Sequence, residues 1–532
     1  MRHTSMNLPT SRLHMANSIV ITLCMMIPFC SVNAQIDGDN IFSLDQVISI
    51  ELTFPQEEFW GDLQLNYVAD ENEYIPAMLT LTDVSGTHIM DSVGVRLKGN
   101  SSYFHPGVKK SFKIDFNKFI PGQNYDGLKK LNFSNGFKDP TCMREKLFFD
   151  ACLDAGVPAP RACFANVTFN GEAWGFYTVV EQIDDQFLDW AIEEDSGNLF
   201  KAGNNFGGAG GPGGGGGGNN TAADLVDYGT NPAMYADRYV LKTNEDVNDW
   251  SDLISFIDFI NNTELDAFAA GIDFRMDVDG FLRSAALDML FSNLDSYTGS
   301  ARNYYIYHNQ DTNHWEWIKW DGNEAFGSYT NGAGNMETVA IDYTNPTRPL
   351  LERMFDHEDL YPRYLDHVCE LTETLFNETH LHERIDVLTE LIASSVYADD
   401  NKMYSNADFD VNLVSNLSGG GGPMGGTTYG LKSFVTNRSA YVASQLECQT
   451  VSDVETHAPS LHAFPNPAQN ELMVDGLPKN SDVSLLNASG RVVFQTLTRD
   501  QSMLRIDVST LAEGVYIVRS SHGWAERLLI VR

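Results

Sequence analysis

The chain is 532 residues long, 43% hydrophobic and 11% aromatic, too long for one hydrophobic core to organise and too apolar for global disorder. Its 72 acidic against 35 basic residues give a formal net charge of −37, a field that repels nucleic acid and anionic lipid and argues against either as a partner. The seven cysteines include no C-x-x-C pair, which argues against a zinc site and a disulfide framework and leaves buried free thiols as the expectation.

Residues 1–34 read as a secretory signal peptide. Arg2 and Arg12 supply the positive start, an apolar run covers Ile19 to Phe29, and Val32-Asn33-Ala34 suits cleavage after Ala34. That run is too short to span a bilayer and no other stretch is longer, so no transmembrane segment is expected. Cleavage removes two arginines, Cys24 and Cys30, leaving a charge of −39 and five cysteines, enough for two bridges at most. Residues 461–532 carry seven bases and seven acids, so all the negative excess lies between Gln35 and Ser460.

Residues 46–116 are strand-like: Val47 to Leu52 and Ala77 to Leu81 are rich in β-branched and aliphatic residues, with a turn at Asp83 to Gly86. A helix follows, with Asp139 as cap, Pro140 at its first position and Gly156 beyond its last turn. Strands at Ala165 to Phe169 and Gly175 to Glu181 are joined by the hairpin turn Asn170-Gly171. The glycine-rich runs at 207–218 and 419–426 lack the lysine and the strand-then-helix context of a phosphate loop and read as flexible insertions. Helical spacing runs through Leu253, Phe256, Ile257 and Ile260, then Phe281 to Phe291. A strand pair, Asn303 to Tyr307 and Trp315 to Trp320, comes next, and residues 347–449 read as mostly helical. After a linker at 451–460, short alternating strands from Glu471 to Val531 predict a small β-sandwich over 461–532.

That tail, with FPNPAQNELMV, LAEGVYIVR and RLLIVR, resembles the type A C-terminal sorting domain of the type IX secretion system. The resemblance implies the type IX machinery as partner, export across the outer membrane of a Bacteroidetes-type bacterium, and removal of the tail. A carbohydrate-binding or adhesion sandwich is the competing expectation. The larger part resembles the CotH (spore coat protein H) family. Eight blocks carry the likeness in order: VGVRLKGNSS, KKSFKIDF, LKKLNFSNGFKDPTCMREKL, AGVPAPR, FNGEAWGFYTVVEQID, LKTNEDVNDWSDL, NLDSYTGSARNYYIY and IKWDGNEAFG. The implied fold class is α+β, an atypical protein-kinase-like domain over 35–450 followed by the small all-β domain.

By that resemblance the cofactors are ATP and Mg2+, and the reaction is phosphate transfer to Ser or Thr of an envelope or extracellular protein. Asp321 takes the place of the kinase metal aspartate, with Asn323 and Glu324 supplying further oxygens nearby. Asp295 takes the place of the catalytic-loop aspartate. No His-Arg precedes it, and Ser300 stands where an ordinary kinase has its second metal asparagine, so Asn303 is the expected substitute. Strand alternation puts Lys110 on the face of Phe112 and Ile114, toward the interior or cleft, and makes Lys113 a solvated partner of Asp115. Lys110 is thus the preferred phosphate lysine and Lys113 the second candidate, with Glu145 orienting the lysine or simply answering a helix dipole. Ser101 and Ser102, after Lys98-Gly99-Asn100, offer hydroxyls and N–H groups to phosphate. Glu181 and Lys242, within the blocks, and Lys201, outside them, have no assigned role. The rival expectation is a catalytically silent surface scaffold, because an exported protein meets little ATP.

Overall fold

The computed structural model describes residues 36–531 apart from 70–72, 204–221, 346, 418–426, 447, 449–461, 476, 478–480, 488–491, 499–502 and 521–524. The signal peptide, both glycine runs and the linker therefore lie outside the described residues. Among those described, no helix is long and apolar enough to cross a membrane. The chain divides between Leu446 and Glu447 into two compact units.

The first unit opens with seven strands, β1 (Val47–Thr53), β2 (Ile75–Asp83), β3 (Gly86–Leu97), β4 (Phe112–Asp115), β5 (Lys130–Ser134), β6 (Ala162–Phe169) and β7 (Glu172–Glu181). They close into a barrel in the order β1-β2-β3-β4-β5-β7-β6. Alternation supplies the interior: Ile50, Leu79, Val95, Ile114, Leu131 and Val179 are fully buried in one apolar cluster. Closure leaves no free sheet edge. Asn170 and Gly171 take φ of 50° and 81°, the left-handed pair that a two-residue hairpin requires, so the β6–β7 turn is legible from the dipeptide alone.

A second sheet, β8 (Asn198–Ala202), β9 (Tyr239–Leu241), β10 (Tyr304–Asn309) and β11 (His314–Lys319), runs in the order β11-β10-β8-β9. It shares a large core with the helices Arg144–Asp154, Ser251–Asn262 and Val278–Leu290. Five further helices, from Pro349 to Gln445, confirm the helical reading of that stretch and pack on the same core. Two buried ties fasten them down. Lys109 pairs with Asp399 at 2.6 Å, and Arg438 donates to the carbonyl of Met289 at 2.8 Å.

Several expectations need correction. The helix after Asp139 begins at Arg144, because Asp139 folds its carboxylate onto the N–H groups of Thr141 (3.0 Å) and Arg144 (2.8 Å) and holds residues 139–143 in a turn. A helix at Phe59–Val68 interrupts the strand-like region. Free, buried thiols are found at Cys142, Cys152 and Cys163, whereas Cys369 and Cys448 are disulfide-bonded, as suits a chain folding in an oxidising compartment.

In the second unit, β12 (His462–Phe464), β13 (Glu471–Asp475) and β16 (Met503–Asp507) form one sheet. The strands β14 (Ser481–Leu486), β15 (Val492–Thr498), β17 (Gly514–Ser520) and β18 (Ala525–Ile530) form another. Leu472, Val474 and Ile506 from the first meet Val483, Leu485, Val518 and Leu528 from the second in one core, the packing of a two-sheet sandwich.

Candidate functional site

The site is built where β11 ends. Asp321 follows Trp320 with φ 57° and ψ 63°, a left-handed conformation that turns the chain abruptly out of the strand. Gly322 comes next because the turn lies flat on the helix Arg144–Asp154: a Cβ there would stand 2.6 Å from the Phe148 ring. Phe326 then anchors the segment, its N–H on the carbonyl of Phe291 at 2.7 Å and its ring edge-on to that of Phe291.

Asp295 lies on the loop after the helix Val278–Leu290. That loop is held by a buried group which sequence reasoning missed: Lys319 pairs with Asp288 at 2.5 Å, and Asn293 donates to Asp288 at 3.2 Å. Asn303 donates from Nδ2 to both the carbonyl (2.8 Å) and the carboxylate (2.9 Å) of Asp295, which brings these two expected residues together. Asp321 has Asp295 as an electrostatic neighbour, and its carboxyl is held above the usual range by burial first and by that like charge second. Glu324 is pushed up to about 7 by burial, although Lys138 grips both its oxygens at 2.9 and 3.1 Å. Asn323 sits half-buried between them on the short turn Gly322–Glu324.

Lysines face these acids. Lys98, just past β3, and Lys201, in β8, both converge on the ring of Trp320, at 5.3 and 5.6 Å from its centre. Burial pushes the Lys201 ammonium down to about 8, helped by Lys98 and Lys242. Burial also lowers Lys98, opposed by Asp321 and Glu145. Glu145, 6% exposed, is pushed up to about 8 by burial and by Asp321. It therefore shares its surroundings with Lys98 and Asp321, on the first turn of its helix.

The two lysines preferred from the sequence fall differently. Lys110 is buried as alternation required, but its ammonium is spent on the carbonyls of Tyr103 (2.7 Å) and His105, where it ties down the loop after β3. Lys113 donates to Gln182 rather than pairing with Asp115. It lies opposite Arg96 and Asn132 in the β3–β4–β5 register, and burial lowers it well below the ordinary lysine value. Ser101 and Ser102 lie on the loop directly after Lys98. There Gly99 takes φ 95°, and any Cβ on it would fall 2.2 Å from Ser102 Oγ. Glu181 is a structural partner of Arg161 at 2.7 Å. The signal for Lys98 was present: in VGVRLKGNSS, Val93, Val95 and Leu97 face the barrel core, so Arg96 and Lys98 share the opposite face.

The acids Asp295 and Asp321 and the lysines Lys98 and Lys201, drawn from both sheets, thus lie in one electrostatic neighbourhood around Trp320. The family described as "CotH kinase protein" matches residues 95–442, and the chain belongs to the CotH family. The secretion system C-terminal sorting domain matches residues 462–529. Such a domain implies use of the type IX secretion machinery and export to the cell surface or beyond.

Inner spore coat protein H of Bacillus subtilis is 26% identical over 311 residues, 58% of this chain and 79% of that protein. Invasin CotH2 of Rhizopus delemar is 20% identical over 418 residues, 74% of this chain and 66% of that one. Among solved structures, the Helicobacter pylori proinflammatory kinase CtkA aligns at 9% identity over 54% of this chain and 91% of its own, with a TM-score of 0.22. PorZ, a surface component of the type IX secretion system of Porphyromonas gingivalis, aligns at 18% identity over 15% of this chain and 13% of its own, with a TM-score of 0.13. Both likenesses are too slight to bear on the fold.

Proposed function

We propose that the first unit is an atypical protein kinase that transfers phosphate from ATP to Ser or Thr of an envelope or extracellular protein, after a signal peptide and a sorting tail have carried it out of a Bacteroidetes-type cell. The observation that carries this is the convergence of Lys98 and Lys201 on Trp320, beside Asp321, in a chain with two acids for every base. Like charges brought together and desolvated are unfavourable until an anion joins them.

Phosphoryl transfer asks mainly for positioning and charge neutralisation. Lys98 and Lys201 hold phosphate oxygens, and Ser101 and Ser102, on the loop directly after Lys98, offer N–H groups and hydroxyls. Among the described residues, no three His, Cys, Asp or Glu side chains group as a ready metal cage. The donors at hand are Asp321 with the amides Asn303 and Asn323, a hard-oxygen set that suits Mg2+, which completes its shell with water and phosphate. Held there, Mg2+ would supply positive charge to offset that of the phosphate oxygens. Asp295, its carboxylate fixed by Asn303, orients the acceptor hydroxyl and takes its proton.

Asp295→Asn is expected to keep ATP binding and lose transfer of labelled phosphate by about 100-fold or more, since an acceptor-orienting base acts only in the chemical step. Unchanged transfer by this variant would remove Asp295 from the mechanism. A catalytically silent scaffold is the second reading, favoured by the use of the Asp295 carboxylate as an acceptor for Asn303.

A further inference from the structure

The lysines at Trp320 are one end of a longer strip. Lys98 Nζ reaches Asn132 Oδ1 at 3.2 Å, and Asn132 stands opposite Lys113 in the β4–β5 register, two residues along β5 from Lys130. On the second sheet, Lys201 lies opposite Val240, two residues before Lys242, whose N–H bonds the carbonyl of Leu199 at 2.8 Å. Five lysines thus form a continuous band across two sheets. Among the described residues none of the five pairs with a carboxylate. Lys98 and Lys113 meet only side-chain amides, and Lys98 and Lys201 aromatic faces. Acids do lie within electrostatic reach, Asp321 and Glu145 of Lys98, Asp184 of Lys113 and Lys130, and Glu245 of Lys242, but no direct ion pair occupies the ammonium groups.

A nucleoside triphosphate seated with its terminal phosphate at Asp321 occupies Lys98 and Lys201. Its sugar and base would then lie among Lys113, Lys130 and Lys242, where ammonium groups gain little from an uncharged ring. A chain that continues as phosphate satisfies every position. Lys98, Lys113, Lys130 and Lys201 are also only partly exposed. They suit a thin polymer that carries charge on its backbone better than a peptide that carries carboxylates on flexible stems. We propose that this strip binds linear inorganic polyphosphate, end-on at Asp321, and more tightly than it binds ATP. This rests on the assignment of the Asp321 end as a phosphate site.

The test is titration calorimetry on the exported protein with four probes: ATP with Mg2+, tripolyphosphate, long-chain polyphosphate and poly-glutamate. Long-chain polyphosphate is expected to bind at least about tenfold tighter than tripolyphosphate, with a steeper loss of affinity as salt rises. Lys130→Ala combined with Lys242→Ala is expected to weaken polyphosphate by more than about tenfold and ATP by less than about threefold. Lys242→Ala alone, at an exposed side chain, gives the same differential loss in smaller measure should the double variant not fold. Equal affinity for tripolyphosphate and long-chain polyphosphate overturns the proposal while leaving the ATP site standing. Poly-glutamate binding as tightly as polyphosphate overturns it in favour of an acidic protein partner. Binding of neither ATP nor any polyphosphate overturns the phosphate site itself.

Discussion

Glu145 shows how far a single side chain can be moved by its setting. Burial and the neighbouring Asp321 push its carboxyl up to about 8. Between the ordinary glutamate value and about 8, the folded chain binds the proton that the unfolded chain has lost, so folding stability from this residue falls as pH rises through that window. Glu145→Gln is therefore expected to flatten the fall in melting temperature between about pH 5 and pH 8, a difference on the order of a few kcal/mol. Parallel curves for the two proteins would show that Glu145 ionises normally. Residue identities at the site were partly legible. The alternation rule placed Lys110 inside, but the rule is blind to the backbone carbonyls of Tyr103 and His105, which claim its ammonium. Lys201 offered even less, because β8 buries both its faces and shows no period. Only the fold reveals that it meets Lys98 over Trp320.

Among the elements, the helix Arg144–Asp154 carries Glu145 and supports the Asp321 turn through Phe148. Its position is set from far along the chain. The fully buried Arg144 side chain stands 3.3 Å from Asp139 and donates to Asn412 Oδ1 at 2.7 Å and to the carbonyl of Tyr429 at 2.6 Å. The C-terminal helices thus brace the site helix, which gives residues 347–449 a structural task that their sequence did not disclose. Arg144→Met is expected to cost about 3–5 kcal/mol in denaturant unfolding, since it leaves Asp139 buried without its cation. A loss below about 1 kcal/mol would mean that the brace is dispensable. Elements with strong local signals were readable: the Asn170-Gly171 hairpin, the amphipathic helix Ser251–Asn262 and the alternating strands of the tail. Those fixed by tertiary pairing were not. β9 has three residues, Tyr239–Leu241, and exists because β8 supplies its partner.

At the scale of the whole molecule, a strongly acidic first unit is joined to a sorting domain matched over residues 462–529. Mature protein outside the cell is expected to lack the tail, and deletion of 461–532 is expected to strand the protein in the periplasm. Intact tails on secreted protein would point to a resident adhesion module instead. The central claim is that this exported CotH-family chain binds ATP through Asp321 and a divalent cation. The most direct test is the melting temperature with ATP as Mg2+ is titrated, because a ligand at a hundred times its dissociation constant stabilises the folded state by about 2.7 kcal/mol. The expected result is a Mg2+-dependent rise for wild type and none for Asp321→Asn, whose unliganded form is as stable as wild type or slightly more so, having shed a buried charge. No rise for wild type at any Mg2+ concentration would contradict the claim and leave the scaffold in its place.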